Sequence, residues 1–370
     1  ITGYQVQDLV MKPAFVQEAM FQVNELAKKC KNGPAIGVGA PFRDNTGLYN
    51  AFYILNFGGV QTIIKKHNFP NEGVFDEVRL YQKTNISGPY KVGEIRIGTP
   101  ICEDAWHSDV PEALVESGAE LLVVPNGSPY SRDKMEKRIS EMVSRVVETQ
   151  LPLVYLNMVG GQDDQVFDGG SFVLNPGGQL ALSMPLFEES VEHVTFERSK
   201  EGWKALEGNR EKSMDSLERD YGAMVLSLRD YVRKTGFSSV VLGLSGGVDS
   251  AAVAAIATDA LGPENVHGIM MPSEYTSQKS LDDAAILADV LGITLRTIPI
   301  DGPRSAITEL LEPIFTGTKT DLTEENIQSR LRGLILMALS NKFGHMLLTT
   351  GNKSEVAVGY STIYGDMAGG

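Results

Sequence analysis

At 370 residues, with 42% hydrophobic and 22% charged residues, the chain is long enough for two globular domains and too apolar to be disordered. A net charge of −14 with no basic patch works against a nucleic-acid partner, and the short, broken apolar runs offer neither a membrane span nor a signal peptide. Cys30 and Cys102 make no disulfide framework and fit a reducing cytoplasm, while five scattered histidines lack the spacing of a structural zinc site.

In chain order, Phe15–Lys29 reads as an amphipathic helix and Ala35–Ala40 as a strand ending at Pro41. Further strands are predicted at Leu48–Leu55, Glu94–Ile101, Leu121–Pro125 and Leu153–Asn157, with a charged helix over Ser131–Gln150. This alternation implies a layered α/β domain up to about residue 195.

Three stretches of that half carry chemistry. GTPICEDAW (Gly98–Trp106) places Cys102 just after a strand, beside two carboxylates, where a nucleophile would sit on a sheet's catalytic edge; a buried cysteine can equally be an inert small hydrophobe. KKHNFPNEGVFDEVR (Lys65–Arg79) reads by composition as a solvated loop, and in PNGSPYSRDK (Pro125–Lys134) Ser128 could simply cap a helix. Cys30, in KKCKN, reads as an incidental surface residue.

Taken together these stretches resemble the nitrilase-related, or carbon–nitrogen hydrolase, amidases, which work with a Glu, Lys and Cys triad. The resemblance implies an α-β-β-α sandwich, Cys102 as nucleophile, Lys66 as the triad lysine, and Glu103 and Ser128 helping to hold glutamine. An ammonium near Cys102 would favour thiolate and stabilise an oxyanion. In that family the general-base glutamate lies in P-E-L-x-x-T-G-Y; this chain opens on ITGY, so the base is expected upstream of Ile1, and no glutamate within the sequence takes its place.

Residues 196–213, with SKEGWKALEGNREK, are charged, lack strand alternation and read as a linker to a second domain at 214–370. Met214–Lys234 reads as an amphipathic helix with Leu217, Tyr221, Met224, Val225, Leu228 and Tyr231 turned to the core. Next comes VVLGLSGGVDS (Val240–Ser250), a buried strand, a loop of small residues, and an alanine-rich helix over Ala251–Ala257. Gly246 and Gly247 let backbone approach an anion, Ser245 and Ser250 add hydroxyls, and the helix N–H groups point at the charge. Asp249 would repel phosphate unless a divalent cation lay between, which argues for Mg²⁺; without the Lys of GxxxxGK[ST] this is no Walker A loop. Strands at Asn265–Met271, Thr294–Ile300 and Met346–Thr350, with helices at Leu281–Leu291 and Glu325–Asn341, predict a doubly wound parallel sheet whose ligands sit beyond the strands' C-terminal ends. Glu355 offers a second carboxylate for a cation.

SGGVDS resembles the pyrophosphate loop of the ATP pyrophosphatase (adenine nucleotide α-hydrolase-like) family. With MMPSEYTSQKS, ENIQSRLRG, TTGNKSE and GYSTIYGDMAGG it is similar to NAD⁺ synthetases. That similarity implies ATP on Gly243, Leu244, Ser245, Gly246, Gly247, Val248, Asp249, Ser250 and Thr350, deamido-NAD⁺ on Asn326, Arg330 and Glu355, and Mg²⁺ shared by Asp249 and Glu355. It also implies a homo-oligomer through the synthetase domains and a later substrate lysine beyond Gly370.

An amidase of this type fused to such a synthetase resembles the glutamine-dependent NAD⁺ synthetases, with glutamine, ATP and deamido-NAD⁺ as substrates and neither nucleic acid nor membrane as partner. The expected reaction adenylates the nicotinate carboxylate, releases pyrophosphate, and lets ammonia displace AMP. Because ammonium is not a nucleophile, a water-poor route for ammonia is expected. Two rivals stand beside it. GMP or asparagine synthetases would carry a Cys/His/Glu triad or an N-terminal Cys, neither of which is seen, and a nucleotide-sensing module regulating a stand-alone amidase would not need paired carboxylates.

Overall fold

The computed structural model describes residues 2–365 and 369 and divides into two compact units, Ile1–Gly160 with Gln165–Asp220, and Gly161–Asp164 with Tyr221–Gly370. Ile1 of the ITGY start and Asp366, Met367, Ala368 and Gly370 of the last motif lie outside the described residues.

The two larger sheets of the first unit each carry helix on one face. The strands Ile36–Asp44, Gly47–Asn56 and Gly59–Lys65 form an antiparallel meander. The second hairpin closes through Phe57 and Gly58, both at positive φ (51° and 85°), as a two-residue turn matched to strand twist requires. Pro41 does not end the first strand: it pairs opposite Asn50, which an edge strand permits because the missing N–H faces outward. Val23 and Ala27 of the helix Pro13–Lys29 pack on Ala40, Ala51, Tyr53 and Leu55 of this meander.

The second sheet runs Gln179–Ser183, Phe172–Asn175, Leu153–Asn157, Leu121–Asn126, Ile95–Gly98 and Tyr90–Val92, parallel at its centre and antiparallel at both edges. The helices Asp109–Glu116 and Lys134–Thr149 bury Val110, Leu114, Met142 and Val146 against Leu122, Val124, Leu153 and Tyr155. Phe52, Ile54 and Ile64 of the meander meet Ile101 and Cys102, so the cysteine lies where the two sheets face each other. The third predicted strand stops at Gly98, leaving Thr99, Pro100 and Ile101 free to lead into Cys102.

The stretch 196–213, read as a linker, carries an antiparallel hairpin, Phe196–Ser199 with Gly202–Ala205, held to the first unit by Asn175, which bonds the Ala205 carbonyl and N–H at 2.9 and 2.8 Å. Its strand character was hidden because its two strands are only four residues each and mostly exposed, so no apolar alternation marks them.

The second unit is a parallel sheet ordered Thr294–Thr297, Val266–Met270, Val240–Gly243, Met346–Leu348, with apolar clusters on both faces. The chain moves outward from Val240–Gly243 in one direction and returns to its other side, so the order reverses at that strand. Ligand crevices open at such a reversal, beyond the strand's C-terminal end. The helix Ser216–Lys234 turns Ala223, Leu226 and Val232 inward, whereas Leu217 is 72% exposed and Tyr221, Met224 and Tyr231 are exposed as well, so its buried stripe differs from the one the apolar spacing predicts. Among the described residues no helix is long and apolar enough to cross a membrane.

Candidate active sites

Cys102 opens a short 3-10 turn with φ +49°, a left-handed conformation that a β-carbon disfavours and that here presents the thiol to a cavity of about 450 Å³. Lys66 follows directly on the strand Gly59–Lys65 and lines the same cavity, 1% exposed. It is therefore a core residue and not part of a solvated loop. Its ammonium pairs with Glu77, which also accepts from Tyr4 Oη at 3.0 Å and Asn50 Nδ2 at 2.7 Å. Burial works to lower the Lys66 pKa, but negative charge around it, from Cys102 once ionised and from Glu77 and Asp104, outweighs burial and raises the value, so the lysine stays an ammonium.

The thiol behaves differently from the sequence expectation. Burial pushes Cys102 above its ordinary value, more than Lys66 and a Gly127 N–H bond draw it down, and the negative charges of Glu77 and Glu103 add to the rise. At neutral pH it is therefore a thiol that needs a base when it attacks.

Asp104 ties the two chain segments together. Its Oδ2 accepts the Ile101 N–H at 3.0 Å, and its Oδ1 accepts those of His67 and Asn68 at 3.1 and 2.6 Å. The turn bearing Cys102 and the segment bearing Lys66 are thereby fixed to one carboxylate.

Glu103 and Ser128 are not on the cavity wall among the described residues. Glu103 lies 3.4 Å from His107 Nε2, and Ser128 is 3% exposed, bonded to Arg138 and Asn157. Glu77 and Tyr4 were missed by sequence reasoning; the signal available was the FDE run that follows Lys66 at short range.

In the second unit, Gly243, Leu244, Ser245, Asn326 and Thr350 line a cavity of about 660 Å³ at the strand's C-terminal end. Gly246 has φ +78°, and a Cβ there would lie 2.3 Å from the Ser280 carbonyl oxygen, so only glycine closes the turn. Gly247 caps the helix Val248–Leu261. Ser250 departs from expectation: it is 2% exposed, and its hydroxyl donates to the Gly247 carbonyl at 3.0 Å and lies 3.1 Å from Ser245 Oγ, so it braces the loop from within.

Asn326 lies on the cavity, where its Oδ1 accepts from Thr362 Oγ1 at 3.0 Å. Leu322, Glu325, Asn326, Ser329, Arg332, Gly333 and Leu336 share the cavity-facing stripe of the helix Leu322–Phe343, spaced three and four apart. Arg330 falls off that stripe, and its Nε donates to the Ile363 carbonyl at 3.3 Å. The arginine on the wall is Arg332, whose guanidinium burial draws toward a lower pKa and whose Nε donates to the Met271 carbonyl at 3.3 Å. Helical spacing from Asn326 was the signal that could have found it.

Asp249 and Glu355 meet through Asn352. That side chain caps the helix Lys353–Val358, accepting the Glu355 N–H at 2.9 Å, and its Nδ2 donates to Asp249 Oδ2 at 3.3 Å; Glu355 Oε2 accepts the Asn352 N–H. Among the described residues no group of three or more His, Cys, Asp or Glu is gathered for a metal. Two carboxylates fit Mg²⁺ all the same, because that ion takes few protein ligands and completes its shell with waters and substrate phosphates.

Comparison with known proteins assigns both halves of the chain to families. The carbon-nitrogen hydrolase family matches residues 1–202 and the NAD synthase family residues 221–370. The glutamine-dependent NAD(+) synthetase of Rhodobacter capsulatus is 59% identical over 370 residues, all of this chain and 67% of that protein. The chain belongs to the glutamine-dependent NAD⁺ synthetases. The family member from Acinetobacter baumannii, solved with adenosine diphosphate, matches 99% of this chain and 69% of its own at 39% identity, with a TM-score of 0.92. One from Synechocystis is 40% identical over 390 residues, covering all of this chain and 69% of that relative. The nitrilase-like sandwich and the doubly wound synthetase domain are thus the architecture of this family.

Proposed function

We propose that the protein converts deamido-NAD⁺ to NAD⁺, using ATP and ammonia taken from glutamine. The observation that carries this reading is the presence in one chain of a Cys102–Lys66 cavity and a nucleotide-type crevice at the sheet reversal. Cys102 Sγ attacks the glutamine amide carbon as a general base takes the thiol proton and passes it to the amide nitrogen, which leaves as ammonia; the oxyanion is stabilised by the Lys66 ammonium, and water then cleaves the thioester to glutamate and the free thiol. Glu77 keeps Lys66 charged. Glu103 and Ser128 are assigned to helping hold glutamine, Ser128 through the turn it shapes beside the cavity.

In the second unit the loop Gly243–Ser250 and Thr350 hold ATP, with the backbone of Gly246 and Gly247 nearest the phosphates. Asn326, Arg330 and Glu355 are assigned to deamido-NAD⁺, and Arg332 adds a positive charge on the wall. Asp249 and Glu355 would hold Mg²⁺, which supplies charge neutralisation at the phosphates. The nicotinate carboxylate attacks the α-phosphorus, pyrophosphate leaves, and ammonia displaces AMP to give the amide. Unpaired Cys30 and Cys102 support a cytoplasmic site of action. Leu310, Ile314 and Leu334, exposed on two helices of this unit, support a homo-oligomer formed through it.

Incubating the full-length protein with glutamine, ATP, Mg²⁺ and deamido-NAD⁺ tests the reading. NAD⁺, AMP, pyrophosphate and glutamate are expected; ADP and phosphate would rule out adenylation.

A further inference from the structure

Two asparagines, Asn126 and Asn157, end neighbouring strands on the wall of the Cys102 cavity, paired with each other in the parallel register. The next pair of strands brings the nucleophile to the same edge: Gly98 pairs with Leu122, and Cys102 and Asn126 each lie four residues further along. Asn157 is engaged through both ends of its amide. Its Oδ1 accepts the Ser128 N–H at 3.0 Å, and its Nδ2 donates to the Ser128 and Gly169 carbonyls at 3.1 and 3.2 Å.

Asn126 is engaged through its nitrogen alone. Its Nδ2 donates to the Val124 carbonyl at 2.7 Å and to the Leu156 carbonyl at 3.3 Å. Turning the amide over would set Oδ1 against two carbonyl oxygens, so the nitrogen must face them. Oδ1 is left buried without a hydrogen-bond partner, in a residue 8% exposed; among the described residues it is the one buried side-chain polar atom of this wall in that state. Lys66, Tyr4 and Asn50, also on the wall, turn their donors to Glu77. A buried acceptor without a donor costs free energy, and its place on the reaction cavity gives it a use, because a substrate can bring the donor.

We propose that Asn126 Oδ1 accepts an N–H of the glutamine amide that Cys102 attacks and holds the nitrogen as it leaves. With one N–H held, rotation about the C–N bond is restricted. As the carbon becomes tetrahedral, the nitrogen lone pair can then be kept toward the general base, which returns the proton taken from Cys102; the C–N bond breaks and ammonia departs. The same oxygen discriminates product from substrate. Glutamate offers carboxylate oxygens where glutamine offers N–H, and an acceptor facing an acceptor favours release. The inference rests on Cys102 being the nucleophile of the proposed amidase.

The test compares glutamine with glutamate γ-methyl ester, which gives the same thioester with loss of methanol but carries no N–H at the reacting carbon. In full-length protein, Asn126→Ala and Asn126→Ser should each lower kcat/KM for glutamine about 10-fold relative to kcat/KM for the ester. The serine hydroxyl can still serve a strand carbonyl and is too short to replace Oδ1. Equal losses on the two substrates, or none, in a folded variant overturn the inference. Should neither variant fold, the wild type decides: it should use the amide at least as efficiently as the intrinsically more reactive ester, and a preference for the ester overturns the inference. Ester turnover undiminished by Cys102→Ala would instead overturn the nucleophile assignment.

Discussion

The Lys66 ammonium and the Glu77 carboxylate form an ion pair closed to solvent, with the two residues 1% and 3% exposed, beside the thiol of Cys102. Removing one member of a buried pair leaves the other uncompensated, at a cost of about 3–5 kcal/mol. Glu77→Gln should therefore lower the melting temperature and reduce glutaminase about 10²-fold. Burial would then act on Lys66 with less opposition and lower its pKa, so residual activity should rise as the pH is lowered and the ammonium returns. A variant with wild-type melting and rate would show that the pair serves neither the core nor the chemistry.

Cys102→Ala should abolish glutamine-driven NAD⁺ formation and leave ammonia-driven formation near the wild-type rate, because only the nitrogen donor site is lost. Assays with glutamine and with ammonium chloride on the same preparation decide this. Loss with both donors in folded protein would contradict the division of labour.

Asp104 should give a pH signature of its own. Burial pushes its carboxyl up to about 6, against the pull of the Asn68 and Ile101 N–H groups, Lys66 and the His67 N–H. A folded pKa above the unfolded one means that the folded state holds the proton more tightly. Its contribution to stability is then complete below the ordinary carboxylate range and is lost as the pH rises to about 6. Denaturant unfolding of wild type and Asp104→Asn should show the wild type losing ground to the variant between pH about 4 and about 6, with no further change above. A constant difference over that range would refute the shift.

Asp249→Asn and Glu355→Gln should each weaken Mg²⁺-dependent turnover with both nitrogen donors while leaving basal glutaminase intact. Removing a negative charge near the phosphates should leave metal-free ATP bound as well or better. Titrating ATP into Asp249→Asn with and without Mg²⁺ separates the cation role from simple damage to the loop, since damage would weaken both titrations equally.

Much of this protein is a local matter of sequence. The strand at Val240–Gly243, the small-residue loop and the helix behind it follow from an apolar run, two glycines and an alanine-rich stretch within about twenty residues. The strand after which Cys102 sits and the helix Pro13–Lys29 are legible for the same reason: their apolar periodicity reports which face is buried. What the tertiary structure decided is which polar groups meet. Lys66 and Glu77 stand in a charged, Pro-containing stretch with the composition of a loop, and only the packing of the meander against the second sheet makes them a buried pair. Ser250 and Ser245 share one motif, yet one braces the loop and the other lines the cavity, because Ser245 lies in the loop after the strand whereas Ser250 lies in the first turn of the helix with its hydroxyl on the Gly247 carbonyl. Arg330 and Arg332 are two residues apart and separate by the same 100° rotation per residue. Arg138, Asp168 and Asn157 are up to 30 residues apart in the chain, and nothing local in the sequence links them; their pairing arises from the helix Lys134–Thr149 and the ends of the strands Leu153–Asn157 and Gln165–Asp168, brought to one turn by the hydrophobic core beneath.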